Sequence, residues 1–172
     1  HPGPSRYSEK FRDDVRFLIE EYDTQIFTLS RDYAIYKNVF EDKYLENFSF
    51  VPMKKINDNN SNLLQNYYIK GAGNILTLLM FPIAFSLYDE MILAGFDGRK
   101  KEENSYYWKH SNKNQYDDLL EEIKFIHSGF FKKDNLFYDQ YYENHINTVK
   151  EWLDLSQKNN KSIRSLTPSN IF

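Results

Sequence analysis

The sequence predicts an α/β domain built on a mostly parallel sheet, and three observations point there. Helical and strand-like hydrophobic patterns alternate along the chain, the rhythm of helices packed on a parallel sheet. Residues 90–95, EMILAG, carry a continuous apolar run, as a strand does when both faces of its sheet are covered. Glycines gather where these patterns end, in KGAGN (70–74) and GFDG (95–98), where the backbone must turn sharply.

Residues 8–22 place Phe11, Val15, Leu18 and Ile19 on one face, an amphipathic helix for which Ser8 offers an N-cap. TQIFTLS (24–30) and FSFVPM (48–53) are short, β-branched and aromatic, and read as strands. The Asn-rich stretch 54–66 is a loop. After the glycine turn, residues 71–88 form a long apolar helix that Pro82 should kink or restart. The strand at 90–95 leads into a polar, aromatic loop over 96–115, then a helix at 115–126. Residues 134–157 make one or two helices, and SIRSL (162–166) a final short strand that TPSN ends. Ligands of parallel sheets bind outside the carboxyl ends of the strands. The turns after residues 29, 95 and 166 are therefore expected to share one edge.

The 172 residues suit a single domain, 1–172, that buries roughly 70% of its unfolded surface. It could equally be a trimmed part of a larger protein. A net charge of −3 and a pI near 5.8 argue against a nucleic-acid footprint, which would show a basic face. With no cysteine, disulfides and thiolate metal sites are excluded, which fits a cytoplasmic location. No apolar stretch is long enough to span a membrane. Fourteen tyrosines offer flat faces with hydroxyls for sugars, nucleotides or self-association into a homo-oligomer, although AT-biased codon usage explains them equally well.

Four constellations carry candidate chemistry. In GFDG, Gly95 and Gly98 can take positive φ, Asp97 can accept from a sugar hydroxyl, and Arg99 can meet a phosphate; the alternative is a solvated Asx turn. In KGAGN, Gly71 and Gly73 allow close approach of an anion to a helix start, with Asn74 capping it or bonding the ligand. That spacing is neither a phosphate-binding P-loop nor GxGxxG, and a tight turn is its plainer meaning. His110 lies in the aromatic loop, His127 at a helix end and His145 within a helix, without the spacing of a metal site. Thr167, Ser169 and Asn170 supply hydroxyls and an amide after the last strand, for a ligand or for simple chain termination.

The order of these pieces resembles a known family. GPS stands near the start, and a helix and strand follow. A glycine pair then precedes the long apolar helix, YDEMILAGFDG (88–98) is followed by tyrosines, and a histidine precedes LTPSN (166–170). This order resembles the bacterial CMP-sialic-acid-dependent sialyltransferases. Their superfamily also holds other surface-polysaccharide glycosyltransferases and pterin-pyrophosphokinase-like domains. The resemblance spans nearly the whole chain as an order of elements, through short motifs. It implies a Rossmann-like domain in which Gly3, Pro4 and Ser5 contact nucleotide phosphates. No strand precedes those residues here, so the chain is trimmed or HPGPS is a cloning remnant.

By the same resemblance, Gly71, Ala72 and Gly73 fall on the family's small-residue turn, although its serine is absent. Tyr106 and Tyr107 fall where family tyrosines stabilise the departing phosphate, and Arg99 stands at a position the family fills with tyrosine. His145, followed by Asn147 and Thr148, best matches the remove of the family's general base, with His110 second. The resemblance implies transfer of a sugar, sialic acid or a similar acid sugar, from a nucleotide donor onto a bacterial surface glycan. A CMP-linked donor is the leading candidate, and the enzyme would work in the cytoplasm or at the inner membrane surface. The donor is a substrate; no cofactor is implied, and the lack of a DxD motif agrees with metal independence. The alternatives are a non-catalytic nucleotide- or sugar-binding accessory domain of a capsule or lipopolysaccharide synthesis protein, and a diphosphokinase-like phosphotransferase using Asp97 to hold a metal.

Overall fold

The computed structural model describes residues 5–96, 98, 117–126, 128 and 136–171. They form a mixed α/β structure whose strands pair only in twos: β1 (Ile26–Leu29) with β2 (Phe48–Val51), β3 (Met53–Lys54) with β4 (Ile69–Lys70), and β5 (Glu90–Leu93) with β6 (Ser162–Ser165). The last two pairs are parallel. A single large sheet is not seen among the described residues, because strands of two to four residues expose few backbone groups for a third neighbour. The turn after Leu29 thus belongs to a different small sheet from the turns after β5 and β6.

The chain divides into two compact units. The first comprises His1–Phe27, Asp32–Ser49 and Asn104–Tyr138. Its helix α1 (Arg6–Tyr22) starts two residues ahead of the expected boundary, so Ser5, not Ser8, is the N-cap. The Ser5 hydroxyl accepts from the Ser8 N–H at 3.1 Å, and Ser8 itself is buried inside the first turns. Its C-terminus ends at Asp23 in the left-handed region. Helix α1 carries Val15 and Ile19 inward, and Arg6 and Lys10 meet Asp118 and Glu122 beside the helix α5 (Leu120–Ile126). Two short helices, α2 (Tyr33–Val39) and α3 (Asp42–Leu45), present Tyr36, Phe40 and Tyr44, and an aromatic cluster closes over Phe48. Arg16 lies over the Phe40 ring and donates to the Val39 carbonyl, while the Tyr44 hydroxyl donates to Glu20.

The second unit comprises Thr28–Arg31, Phe50–Glu103 and Asp139–Phe172. The Asn-rich loop is held through its middle. Asn60 donates to the carbonyls of Asn66 and Tyr68, and Leu63 is buried with Leu29, Val51, Ile69 and Leu79. Pro82 has no amide hydrogen and its ring crowds the preceding turn. The chain absorbs this as a π-helical turn over Leu76–Met80 that runs on without a break into α4 (Phe81–Leu87), with Pro82 in its first turn.

Helix α6 (Leu136–Lys158) is continuous, a single helix across the stretch expected to hold one or two. It lays Val149 and Trp152 into the core with Leu76, Phe81, Phe85, Met91 and Ile171. Strand β5 alternates instead of being covered on both faces: Met91 is buried while Ile92 is 48% exposed. Period-2 geometry sends neighbours to opposite faces, and the described structure covers only one of them. Lys161 fastens the start of β6 to the end of α4 by donating to the Phe85 and Tyr88 carbonyls. Among the described residues no helix is long and apolar enough to cross a membrane.

Candidate functional site

The parallel β5–β6 pair sets the site. Its register, Leu93 opposite Ser165, brings both carboxyl ends to one edge, and the Leu166 N–H donates to the Leu93 carbonyl at 2.7 Å. The expected meeting of the turns after residues 95 and 166 is therefore found. Gly95 and Gly98 have φ of +70° and +65°, a region costly for side chains other than glycine, so their role in the turn is conformational.

Helix α6 brings His145 to this edge. The residue shares one helical stripe with Tyr142, Val149 and Trp152, at the i, i+3, i+7, i+10 spacing that turns a single face inward. His145 is only 7% exposed, and the Phe96 ring packs edge-on to its imidazole at 5.8 Å and 83°. Its Nδ1 is buried with no hydrogen-bond partner among the described residues. Burial away from water disfavours the charged imidazolium and pulls the pKa below that of an ordinary histidine. The neutral ring is thus favoured at pH 7, and its Nδ1 is unspent by hydrogen bonds among the described residues.

The turn before the long helix reaches the same stretch of α6. Asn74 Oδ1 accepts from the Leu76 N–H at 2.9 Å, capping the π turn, while Asn74 Nδ2 donates to the Tyr141 hydroxyl at 3.0 Å. Both ends of that amide are engaged in structure. Burial raises the Tyr141 pKa against the opposing pull of the Asn74 bond. A Cβ on Gly73 would stand 2.9 Å from Tyr141 Cε2, so the space left by the missing side chain is filled by that ring. A Cβ on Gly71 would meet Met53 Sδ at 3.3 Å. Gly73→Ala must push the tyrosine aside and is expected to destabilise by about 1–3 kcal/mol, as overpacking does. Denaturant midpoints measure this, and the combination with Tyr141→Ala should cost less than the sum of the two single changes.

Of the residues singled out from sequence, Gly73 and Asn74 both meet Tyr141 on α6, one helical turn before His145. Ser5 lies in the first unit as a helix cap. Gly3, Pro4, Asp97, Arg99, Tyr106, Tyr107 and His110 lie outside the described residues, as does His127. Thr167 and Asn170, left open between ligand and chain end, bind the β5 exit: Gly95 N–H donates to Thr167 Oγ1, and Asn170 Nδ2 to the Gly98 carbonyl, both at 3.3 Å. Tyr141, Tyr142 and Phe96 escaped the sequence reading. Their available signal was position: the two tyrosines precede His145 by one helical turn, and Phe96 sits within GFDG. Among the described residues no group of three His, Asp or Glu is placed to hold a metal ion. Compared with protein-family models, with curated proteins and with solved structures, the chain matches none.

Proposed function

We propose that the chain is a glycosyltransferase domain using a nucleotide-activated sugar, of Rossmann-like type, with His145 as its base. The observation that carries this reading is the buried His145, whose Nδ1 has no partner among the described residues, at the shared carboxyl edge of two parallel strands. That edge is where sheets of this class take nucleotides. In the proposed step, Nδ1 takes the proton of an acceptor hydroxyl as its oxygen bonds to the anomeric carbon. The bond from that carbon to the phosphate oxygen breaks, and its electron pair leaves with the phosphate. Arg99, Tyr106 and Tyr107 are proposed to stabilise that phosphate, with Asp97 on the sugar. An acid sugar linked to CMP is the proposed donor and a bacterial surface glycan the proposed acceptor.

The test is thermal stability with CMP, CDP, UDP and GDP. A nucleotide at about 100 times its Kd should add about 2.7 kcal/mol. No stabilisation by any of the four removes the reading. The deep burial of the imidazole beneath Phe96 also favours a second reading, a nucleotide- or sugar-binding module without transfer. Stabilisation by a nucleotide without turnover of any acid-sugar donor assigns the chain to that class.

A further inference from the structure

We propose that Thr167 and Asn170, at the exit of β6, are positioning residues for the His145 imidazole and act on it through Phe96. The functional meaning of this rests on His145 as the base, while the geometry is independent of any ligand.

The ladder between β5 and β6 ends at Leu93 and Ser165, and Phe96 beyond it packs against the core cluster of Met91, Val149, Trp152 and Ile171. Two side chains from beyond β6 fasten the turn that carries it. Thr167 Oγ1 accepts from the Gly95 N–H on one side of Phe96, and Asn170 Nδ2 donates to the Gly98 carbonyl on the other. The glycines at these two fastenings differ in their surroundings. A Cβ on Gly95 would meet nothing within 4 Å, whereas one on Gly98 would lie 2.7 Å from Ile171 Cγ1 and 3.2 Å from the Tyr142 hydroxyl. Gly98 thus lets Ile171, which is buried in the core, and Tyr142, which precedes His145 on α6, close directly over the backbone. Between these anchored points the Phe96 ring stands edge-on to the imidazole.

An edge-on contact between two rings is sensitive to small displacements, so the clasp governs how well His145 is shut from water. Thr167 and Asn170 do this without adding charge. Residues 166–171 contain no titratable side chain, and among the described residues of α6 the nearest titratable neighbours in sequence are Tyr141, Tyr142 and the exposed Glu143; Asp97 and Arg99, on the turn that carries Phe96, lie outside the described residues. Loosening the clasp is read through the Phe96 contact, and the Phe96→Leu comparison separates that contact from any charge on the turn.

The experiment follows the imidazole C–H resonances of His145 by NMR across a pH titration of the full chain without ligand. In the Thr167→Val, Asn170→Ala double variant, the ring-current displacement imposed by Phe96 should shrink. The titration midpoint should rise toward the ordinary histidine value of about 6.5. Phe96→Leu should reproduce both changes, and Thr167→Ser, which keeps the hydroxyl, should retain the native signature. If the double variant does not fold, Thr167→Val alone is read in the same way. Resonances and midpoint that stay native when the clasp is removed, but move with Phe96→Leu, overturn the proposal. Failure of the transferase reading is seen elsewhere, as no nucleotide stabilisation of the unaltered chain, and leaves this titration fully interpretable.

Discussion

In the proposed transferase, His145→Ala is expected to slow glycosyl transfer by about 10²–10⁴-fold while any stabilisation by nucleotide persists. The imidazole would accept a proton from the acceptor and would not hold the donor, so the loss should fall on kcat. The pH profile gives the sharper signature. Burial lowers the His145 pKa below the ordinary histidine value, and a histidine acting as the proposed base would work as the neutral ring. The rate should therefore be flat through neutral pH and fall only as the pH drops through that lowered value. The same shift has a stability consequence of fixed sign. Above the unfolded pKa of about 6.5 both states are neutral and His145 carries no penalty. As the pH falls below that, the unfolded chain takes up the proton first, and stability is lost progressively until the folded pKa is passed. His145→Gln should remove this part of the pH dependence in denaturation midpoints. A variant that transfers at the native rate with an unchanged profile would move the base elsewhere, and His110→Ala would be the next measurement.

What could be read from sequence divides by the range of the interaction that decides it. The helix α1, the strands β5 and β6, and the long helix α6 rest on local periodicity, and each stands within a few residues of its expected place. The meeting of the β5 and β6 exits followed from the parallel arrangement, one step beyond local pattern. Helices α2 and α3 were missed because aromatics carry their inward stripe. Tyr36, Phe40 and Tyr44 recur at helical spacing, but a tyrosine stripe looks half polar. The meaning of Gly73 was out of reach for a different reason. Its small size accommodates Tyr141, a partner distant in sequence, and no local rule distinguishes that from room for a phosphate. Likewise, a buried histidine and an exposed one look alike in a helical segment. Only the packing of Phe96 and the unpartnered Nδ1 distinguish His145.

Trp152→Ala is expected to destabilise the second unit by about 3–5 kcal/mol, the largest single loss among its core positions. The indole has no exposed surface and lies against Phe81 and Phe85, with ring centroids at 6.0 and 5.2 Å. Truncation would leave a cavity between α6 and α4, both already committed: α4 continues the π-helical turn before it and holds Lys161 on its terminal carbonyls. With little room to collapse, the upper part of the range applies. Trp152→Phe separates two terms that alanine confounds. The indole Nε1 is buried without an acceptor among the described residues, a burden of about 1–3 kcal/mol for an unsatisfied donor. Phenylalanine removes that N–H and keeps most of the apolar contact, so its net cost should be far smaller than that of alanine. Denaturant midpoints followed by circular dichroism test this, because the substitution removes a fluorophore. A Phe variant as unstable as the Ala variant would mean that the indole N–H is satisfied in solution. Its position on the same stripe as His145 then gives the result a second consequence. A core loosened at Trp152 should also broaden the His145 resonances, because Phe96, which packs on the imidazole, also packs against the core cluster that holds Trp152.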